Sequence, residues 1–187
     1  MYLFGFGSLI NLNSAQKSFE RELSYADLIP VTIKGYKKVW NSIEHIQFDG
    51  VDINGVFLNL QKDETTQTSG VVVKITPQEF EVLKLREKNY SQITIKASDV
   101  VGANLDEDVV AFMTTNEEKI AKIGDKNCFI PAKYIDILTN AFENYDTGFV
   151  KQFKKECLED LPFDLKMGTY SFSDPMQQKL AKEGIKK

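Results

Sequence analysis

Histidine occurs once and cysteine twice in 187 residues, and that scarcity excludes several chemistries at once. With only His45, Cys128 and Cys157, no Cys/His cluster of zinc-site spacing can be assembled. Two cysteines are too few for a disulfide scaffold, so two reduced thiols in a cytoplasmic protein are expected. A Ser-His-Asp or Cys-His pair would have to recruit His45, which stands between Ile43-Glu44 and Ile46-Gln47 with no nucleophile motif beside it. A structural or solvent-facing histidine is expected there. No apolar run approaches the roughly 18 residues of a membrane-spanning helix. The apolar start, Met1–Ile10, lacks the positive region and small-residue cleavage site of a signal peptide and reads as a buried first strand. An excess of basic residues is missing too. Lys and Arg number 23 against 27 Asp and Glu, a net charge of −4, which argues against nucleic acid or an anionic membrane as partner. Carboxylates, tyrosines and backbone amides are left to carry any chemistry.

Hydrophobic content of 42% and charged content of 27% fit an ordinary globular chain. Tyr2–Phe6 reads as a strand running into a tight Gly5-Phe6-Gly7-Ser8 turn. Ser14 is a candidate cap for a short helix reaching Arg21. Leu28–Ile33 and Tyr36–Ile43 read as two strands joined at Lys34-Gly35. Gly55–Leu60 is a further strand, followed by a polar, threonine-rich turn over Asp63–Ser69 and a β-branched strand over Gly70–Ile75. Thr76-Pro77 caps and opens a helix of about ten residues. Ser91–Lys96 alternates with period 2 and Asp108–Thr114 is another strand. From Pro131 the period becomes 3.6, with Tyr134, Ile135, Leu138, Ala141 and Phe142 on one face; Gly148 breaks it, and Phe149, Phe153 and Cys157 resume it. Beyond Leu161 periodicity is lost. The expectation is an α+β fold: a small mixed, largely antiparallel β-barrel of about six or seven strands with flanking helices. Residues 1–160 form its one domain, and 161–187 form a C-terminal extension, docked or disordered.

Two constellations can carry chemistry. Gly5-Phe6-Gly7-Ser8-Leu9 ends a strand with successive backbone amides, a concavity suited to an anion or a developing oxyanion. It lacks the third glycine of a dinucleotide fingerprint, which falls at Ile10, and the lysine of a phosphate loop. The plainer reading is a glycine pair needed for positive φ. Arg86-Glu87-Lys88-Asn89-Tyr90 ends the helix after Thr76. There a partly buried Glu87 becomes a proton acceptor if desolvation lifts its pKa from about 4.3; the plainer reading is a solvated helix end. Basic and aromatic residues interleave over Gly35–Asn41, which in an acidic chain reads as a barrel strand. Tyr134 either joins the core or turns its hydroxyl to a pocket.

In order along the chain, these segments resemble the gamma-glutamylcyclotransferase family. Phe6-Gly7-Ser8-Leu9 resembles its Tyr-Gly-Ser-Leu or Tyr-Gly-Ser-Asn loop, and Gly35–Asn41 its Gly-Tyr-Arg-Arg strand. Phe57–Leu60, Gly70–Ile75, Arg86–Tyr90 and Pro131–Tyr134 follow in sequence. The resemblance spans about residues 2–158. It implies a small barrel with no cofactor and no metal, acting on a small-molecule gamma-glutamyl substrate to release 5-oxoproline. Glu87 matches the catalytic glutamate. Phe6, Gly7, Ser8 and Leu9 match the substrate-binding loop, and Tyr90 and Tyr134 match pocket tyrosines. Phe6 stands where the family usually has tyrosine, which implies altered specificity or reduced activity. The alternative is a non-catalytic small-molecule binding module on the same fold. Because the sequence offers no metal-ligand cluster, release of 5-oxoproline is expected to survive exhaustive chelation with EDTA. Activity lost on chelation and restored by one divalent ion would overturn the metal-free expectation.

Overall fold

The computed structural model describes residues 1–185 and is built on one long ribbon. In chain order the elements are β1 (Tyr2–Gly5), α1 (Leu12–Gln16), β2 (Ile29–Phe48), β3 (Val51–Lys74), α2 (Pro77–Arg86), β4 (Ser91–Ile95), β5 (Val100–Val101) and β6 (Val109–Met113). They continue with β7 (Cys128–Pro131), α3 (Ala132–Thr139), α4 (Thr147–Cys157), β8 (Leu165–Lys166), β9 (Tyr170–Phe172) and α5 (Pro175–Glu183). The ordered path β4-β6-β1-β3-β2-β5 is antiparallel except between β1 and β6. β7 runs parallel to β3, and β9 lies antiparallel along β2. β4 and β5 are the two ends of that path, yet residues 96–99 alone connect them. A strand advances only about 3.3–3.6 Å per residue, so the two edges must lie close, and the sheet is curled. The expected mixed, largely antiparallel α+β class is what forms.

The curl explains why Gly70–Ile75 reads as an unbroken apolar run. Alternate residues point to opposite faces, and both faces are buried. Tyr2, Phe4, Val72, Ile33 and Val109 fill the inside of the curl. Leu3, Val71 and Val73 point the other way, into a larger core shared with Ala15, Leu138 and Phe153 of the helices.

Several local expectations are corrected. Lys34-Gly35 does not join two strands: β2 runs through it, with Gly35 at φ +84° in an irregularity between the Lys34–Gln67 and Tyr36–Lys62 pairs. Opposite it, residues 63–66 loop out within β3, where Asp63 Oδ1 accepts the Thr65 N–H (3.1 Å) and hydroxyl (2.7 Å). The threonine-rich turn is therefore a bulge that leaves the ladder intact on both sides. The actual reversal is Asp49-Gly50, both at positive φ, the two-residue hairpin loop that an Asp-Gly pair favours. The cap of α1 is Asn11, whose side chain accepts the Ser14 N–H, and not Ser14. Gly148 does not break a helix but lies in the first turn of α4; Asp146 caps that helix by accepting the Phe149 N–H at 2.9 Å.

From residue 161 onward the chain is docked as far as it is described. β9 pairs with β2 at Ile46–Phe172, Gln47–Ser171 and Phe48–Tyr170, and Gln178 of α5 accepts the Phe172 N–H at 2.7 Å. Lys186 and Lys187, at the end of the expected extension, lie outside the described residues. No helix among the described residues is long and apolar enough to cross a membrane.

Helix α4 is fastened to the ribbon by a buried ion pair. Lys38 Nζ, with no exposed side-chain surface, lies 2.6 Å from Glu156 Oε2 and 3.6 Å from the centre of the Phe153 ring. Glu156 also accepts the Ser69 N–H and hydroxyl, the Thr68 hydroxyl and the Gln152 amide. Removing one partner of a buried pair strands the other charge, at a cost of about 3–5 kcal/mol. Glu156→Gln is therefore expected to lower unfolding stability in urea by that order, and Lys38→Met combined with Glu156→Leu to lower it less. A loss below about 1 kcal/mol for Glu156→Gln would show that the pair does not hold the helix.

Candidate active site

The site forms where α2 ends. Glu87 is its last cap: the Glu87 N–H still reaches the Leu83 carbonyl at 2.8 Å, while φ −93° and ψ 23° carry the chain out of the helix. The Tyr90 N–H then closes on the Glu87 carbonyl at 2.9 Å. This tight turn puts the Glu87 and Tyr90 side chains on the wall of one cavity of about 550 Å³. The loop Phe6–Leu9 and the side chain of Tyr134 line the same cavity. All seven residues singled out in the sequence are thus brought together, from the loop after β1, the α2 turn and the start of α3.

Glu87 is about a quarter exposed, at 26%. Burial pushes its carboxyl above the usual carboxylate range, the Arg86 guanidinium (Nε 3.4 Å from Oε1) opposes this, and Glu44 adds to it. Arg86 is itself anchored, donating to the Lys17 carbonyl at 2.9 Å. A carboxyl raised in this way, in a cleft, is a candidate proton acceptor.

The Gly7 corner is set by Tyr134. The Tyr134 ring packs edge-on against Trp40 and Phe57, with centroids 5.9 and 5.0 Å away, which drives its hydroxyl toward the loop. A Cβ on Gly7 would stand 2.4 Å from that hydroxyl oxygen, which the Ser8 backbone N–H also faces. Burial pushes the Tyr134 phenol far above its ordinary pKa, so it stays protonated. Neither Gly5 nor Gly7 has positive φ, contrary to the plainer sequence reading. Both are required by close approach instead; a Cβ on Gly5 would lie 2.5 Å from the Leu9 Cβ. Phe6 stacks on Phe4 at 6.2 Å and presents the rest of its ring to the cavity.

Sequence reasoning missed part of the wall. Glu44 on β2 is 4% exposed, receives the Tyr90 hydroxyl proton, and has Lys119 Nζ 3.5 Å from Oε2. The available signal was a glutamate in period-2 line with the buried Ser42, Ile46 and Phe48. Tyr170 and Phe172 of β9 also line the cavity, and burial pushes the Tyr170 phenol up to about 12. Helix α5 closes one side, with Lys17 Nζ donating to the Ala181 carbonyl at 2.5 Å and the Ile185 N–H to the Lys17 carbonyl at 3.0 Å. Asp174-Pro175, a cap followed by a first-turn proline, announced that helix in the sequence. His45 is exposed, and its ring Nδ1 lies 3.0 Å from Asn54 Oδ1.

No protein-family model and no curated protein matches the sequence. Solved structures do match. YkqA from Bacillus subtilis superposes with a TM-score of 0.61 at 20% identity, covering 87% of this chain and 55% of its own. The chain thus spans about half the length of YkqA. A gamma-glutamyl cyclotransferase superposes with a TM-score of 0.58 at 13% identity over 98% of both chains. A yeast gamma-glutamyl cyclotransferase specific to glutathione gives 0.51 at 14% identity over 86% of this chain and 98% of its own. At these identities the likeness is one of fold, and it is the gamma-glutamyl cyclotransferase fold.

The Gly7–Tyr134 contact has a direct test. Gly7→Ala pushes a methyl into the hydroxyl, and such overpacking costs about 1–3 kcal/mol. In a Tyr134→Phe background the nearest remaining ring atom is 3.8 Å from that Cβ, an ordinary contact, so the same change should cost less than about 1 kcal/mol. Equal costs in the two backgrounds, read from denaturant unfolding, would mean that the hydroxyl does not set the loop.

Proposed function

We propose that this chain, which has the fold of the gamma-glutamyl cyclotransferases, is an enzyme of that kind, releasing 5-oxoproline from a gamma-glutamyl compound in the cytoplasm. The observation that carries this reading is Glu87: a carboxylate of raised pKa on a cavity wall shared with the Gly7–Leu9 loop and two protonated tyrosines.

A gamma-glutamyl group carries its own nucleophile, the α-amine, in reach of its γ-carbonyl carbon. At neutral pH that amine is mostly protonated, with a pKa of about 8, and cannot attack until a base takes a proton. Glu87 is that base. The amine nitrogen then bonds to the γ-carbon, closing a five-membered ring, and the carbon–nitrogen bond to the departing amine breaks. A second proton leaves the ring nitrogen as the ring settles into the lactam, and the departing amine takes up the protons that the attacking nitrogen gave up, with Glu87 carrying them. No water is consumed. Because attack is intramolecular, folding the substrate into its reactive conformer supplies much of the acceleration; effective molarities reach about 10⁵ M or more.

Tyr134 suits the γ-carbonyl oxygen. Its hydroxyl lies against the loop with the Ser8 N–H facing its oxygen, and burial keeps the phenol protonated, so its proton is the one to donate. Lys17, Arg86 and Lys133 also line the cavity and offer positive charge for the substrate α-carboxylate. Phe6 lacks the hydroxyl usual at its position, so the polar contacts fall to Tyr90, Tyr134 and the loop amides.

The decisive experiment pairs turnover with stability. Glu87→Gln keeps the shape of the side chain but accepts no proton at neutral pH, so kcat is expected to fall about 10²–10⁴-fold while the melting curve stays put. The acidic limb of kcat/KM in the unaltered protein should lie above the ordinary glutamate range of about 4.3, activity falling as pH drops through the raised Glu87 pKa. A folded Glu87→Gln variant within tenfold of the parent removes Glu87 as the base. If a panel of gamma-glutamyl compounds yields no 5-oxoproline by mass spectrometry, the binding-module alternative takes its place.

A further inference from the structure

Glu44 is the buried charged side chain on the cavity wall that the cyclisation scheme leaves without a task. It projects from β2, pairs across the ribbon with Gly55, and is 4% exposed. Three charged or titratable groups face it: the Tyr90 hydroxyl on Oε1, Lys119 Nζ at 3.5 Å from Oε2, and Glu87 across the cavity. The Tyr90 hydroxyl donates to Glu44 Oε1, and the Lys119 ammonium stands beside Oε2. The single phenolic proton of Tyr90 is therefore committed to Glu44. What Tyr90 turns to the cavity is its lone pairs.

Tyr134 is wired the opposite way. The Ser8 N–H faces its oxygen, an arrangement in which its proton is the group to turn to the cavity. One tyrosine accepts from a ligand and the other donates to it. A ligand bearing both an ammonium and a carbonyl matches that pair, with the ammonium on Tyr90 next to Glu87.

We propose that Glu44 is a positioning residue that fixes the polarity of the Tyr90 hydroxyl, making Tyr90 the acceptor for the primary ammonium of an amino-acid ligand. This rests on the cyclotransferase reading for the identity of the ligand, but the hydrogen-bond polarity stands on the ligand-free structure. The electrostatics agree. Burial, then Glu44, then Glu87 and Tyr134 hold the Tyr90 phenol well above its ordinary pKa, and Glu44 also raises Glu87.

The test has two arms. In the ligand-free protein, Glu44→Gln should move the ionisation of Tyr90, assigned in NMR titrations by its loss in Tyr90→Phe, to lower pH. The Glu87 carboxyl should move to lower pH with it. A Tyr90 titration that does not move overturns the positioning role. In the second arm, binding of gamma-glutamyl-alanine and glutaryl-alanine, which differ only in the α-ammonium, is measured in the Glu87→Gln background. Adding Tyr90→Phe is expected to weaken gamma-glutamyl-alanine roughly tenfold, the loss of one hydrogen bond to a charged group, and to leave glutaryl-alanine unchanged. Equal weakening of both overturns the ammonium assignment even if the parent protein makes 5-oxoproline. Discrimination between the two without any 5-oxoproline from the parent overturns the cyclotransferase reading and keeps the ammonium site. If neither compound binds, both fall.

Discussion

The hydroxyl of Tyr134 pressed against the α-carbon of Gly7 is the contact on which the candidate site depends. It joins three parts of the chain that are remote in sequence: the loop after β1, the first turn of α3, and, through Trp40 and Phe57, the two long strands beneath. Only the absence of a Cβ allows it. Because the phenol is buried and its ring is wedged against Trp40 and Phe57, the loop cannot drift without losing that close contact. The loop amides and the Tyr134 proton are thereby pre-aimed, and pre-aimed dipoles in a partly dry cleft are the most effective electrostatic groups for a reaction that develops charge on oxygen.

That corner needs a rigid floor, and the β2–β3 ribbon supplies it. Asn59, buried on β3, accepts the Thr114 N–H at 2.9 Å and donates to the Thr114 carbonyl at 3.0 Å and to Asn41 at 2.9 Å. The Thr114 hydroxyl in turn meets Ser42, which lines the cavity two residues from Glu44. The end of β6 is thereby stitched under the strand that carries Glu44, and Glu44 orients Tyr90. On the far side, Glu156 and Phe153 of α4 close on Lys38 and Ser69 of the ribbon and hold the helix down. The ribbon can stay long because its irregularities at Gly35 and Asn41 absorb the curl without ending the ladder.

Much of this was legible in the sequence, and what was not has physical reasons. Alternation and β-branching located β1, β4, β6 and the second half of β3, and Thr76-Pro77 located α2, whose capping box is present. The ribbon was cut in two because Gly35 and the Thr-rich stretch carry turn chemistry. Their turns exist, but a bulge uses the same residues as a loop, and only the register of the partner strand tells the two apart. Asp49-Gly50 carries the two-residue hairpin signal outright, and the turn forms there. β8 and β9 are two and three residues long, too short for any period to show, and they exist because β7 and β2 offer them edges. The seven proposed site residues do meet in one cavity. Glu44 and the β9 and α5 walls were out of reach because a residue's facing is set by register and docking, which short motifs do not encode.

On the proposed cyclotransferase reading, the two tyrosines explain why one glutamate can suffice. A base that must both take a proton from an ammonium and release it to a departing amine has to sit between an ionised and a neutral form near neutral pH, and burial with Glu44 nearby moves Glu87 that way. Raising a carboxyl's pKa makes it a better base but a weaker counter-charge for the ammonium it must hold. With Tyr90 turned to accept by Glu44, the ammonium keeps a partner as Glu87 changes charge, and with Tyr134 turned to donate, the carbonyl oxygen keeps one as it gains charge. Lys119 stands 3.5 Å from the buried Glu44 and is its ion-pair partner. The division of labour follows from where each carboxylate sits: Glu87 on a quarter-exposed helix end with a cation only at 3.4 Å, Glu44 inside a strand with a phenol and an ammonium already at its oxygens.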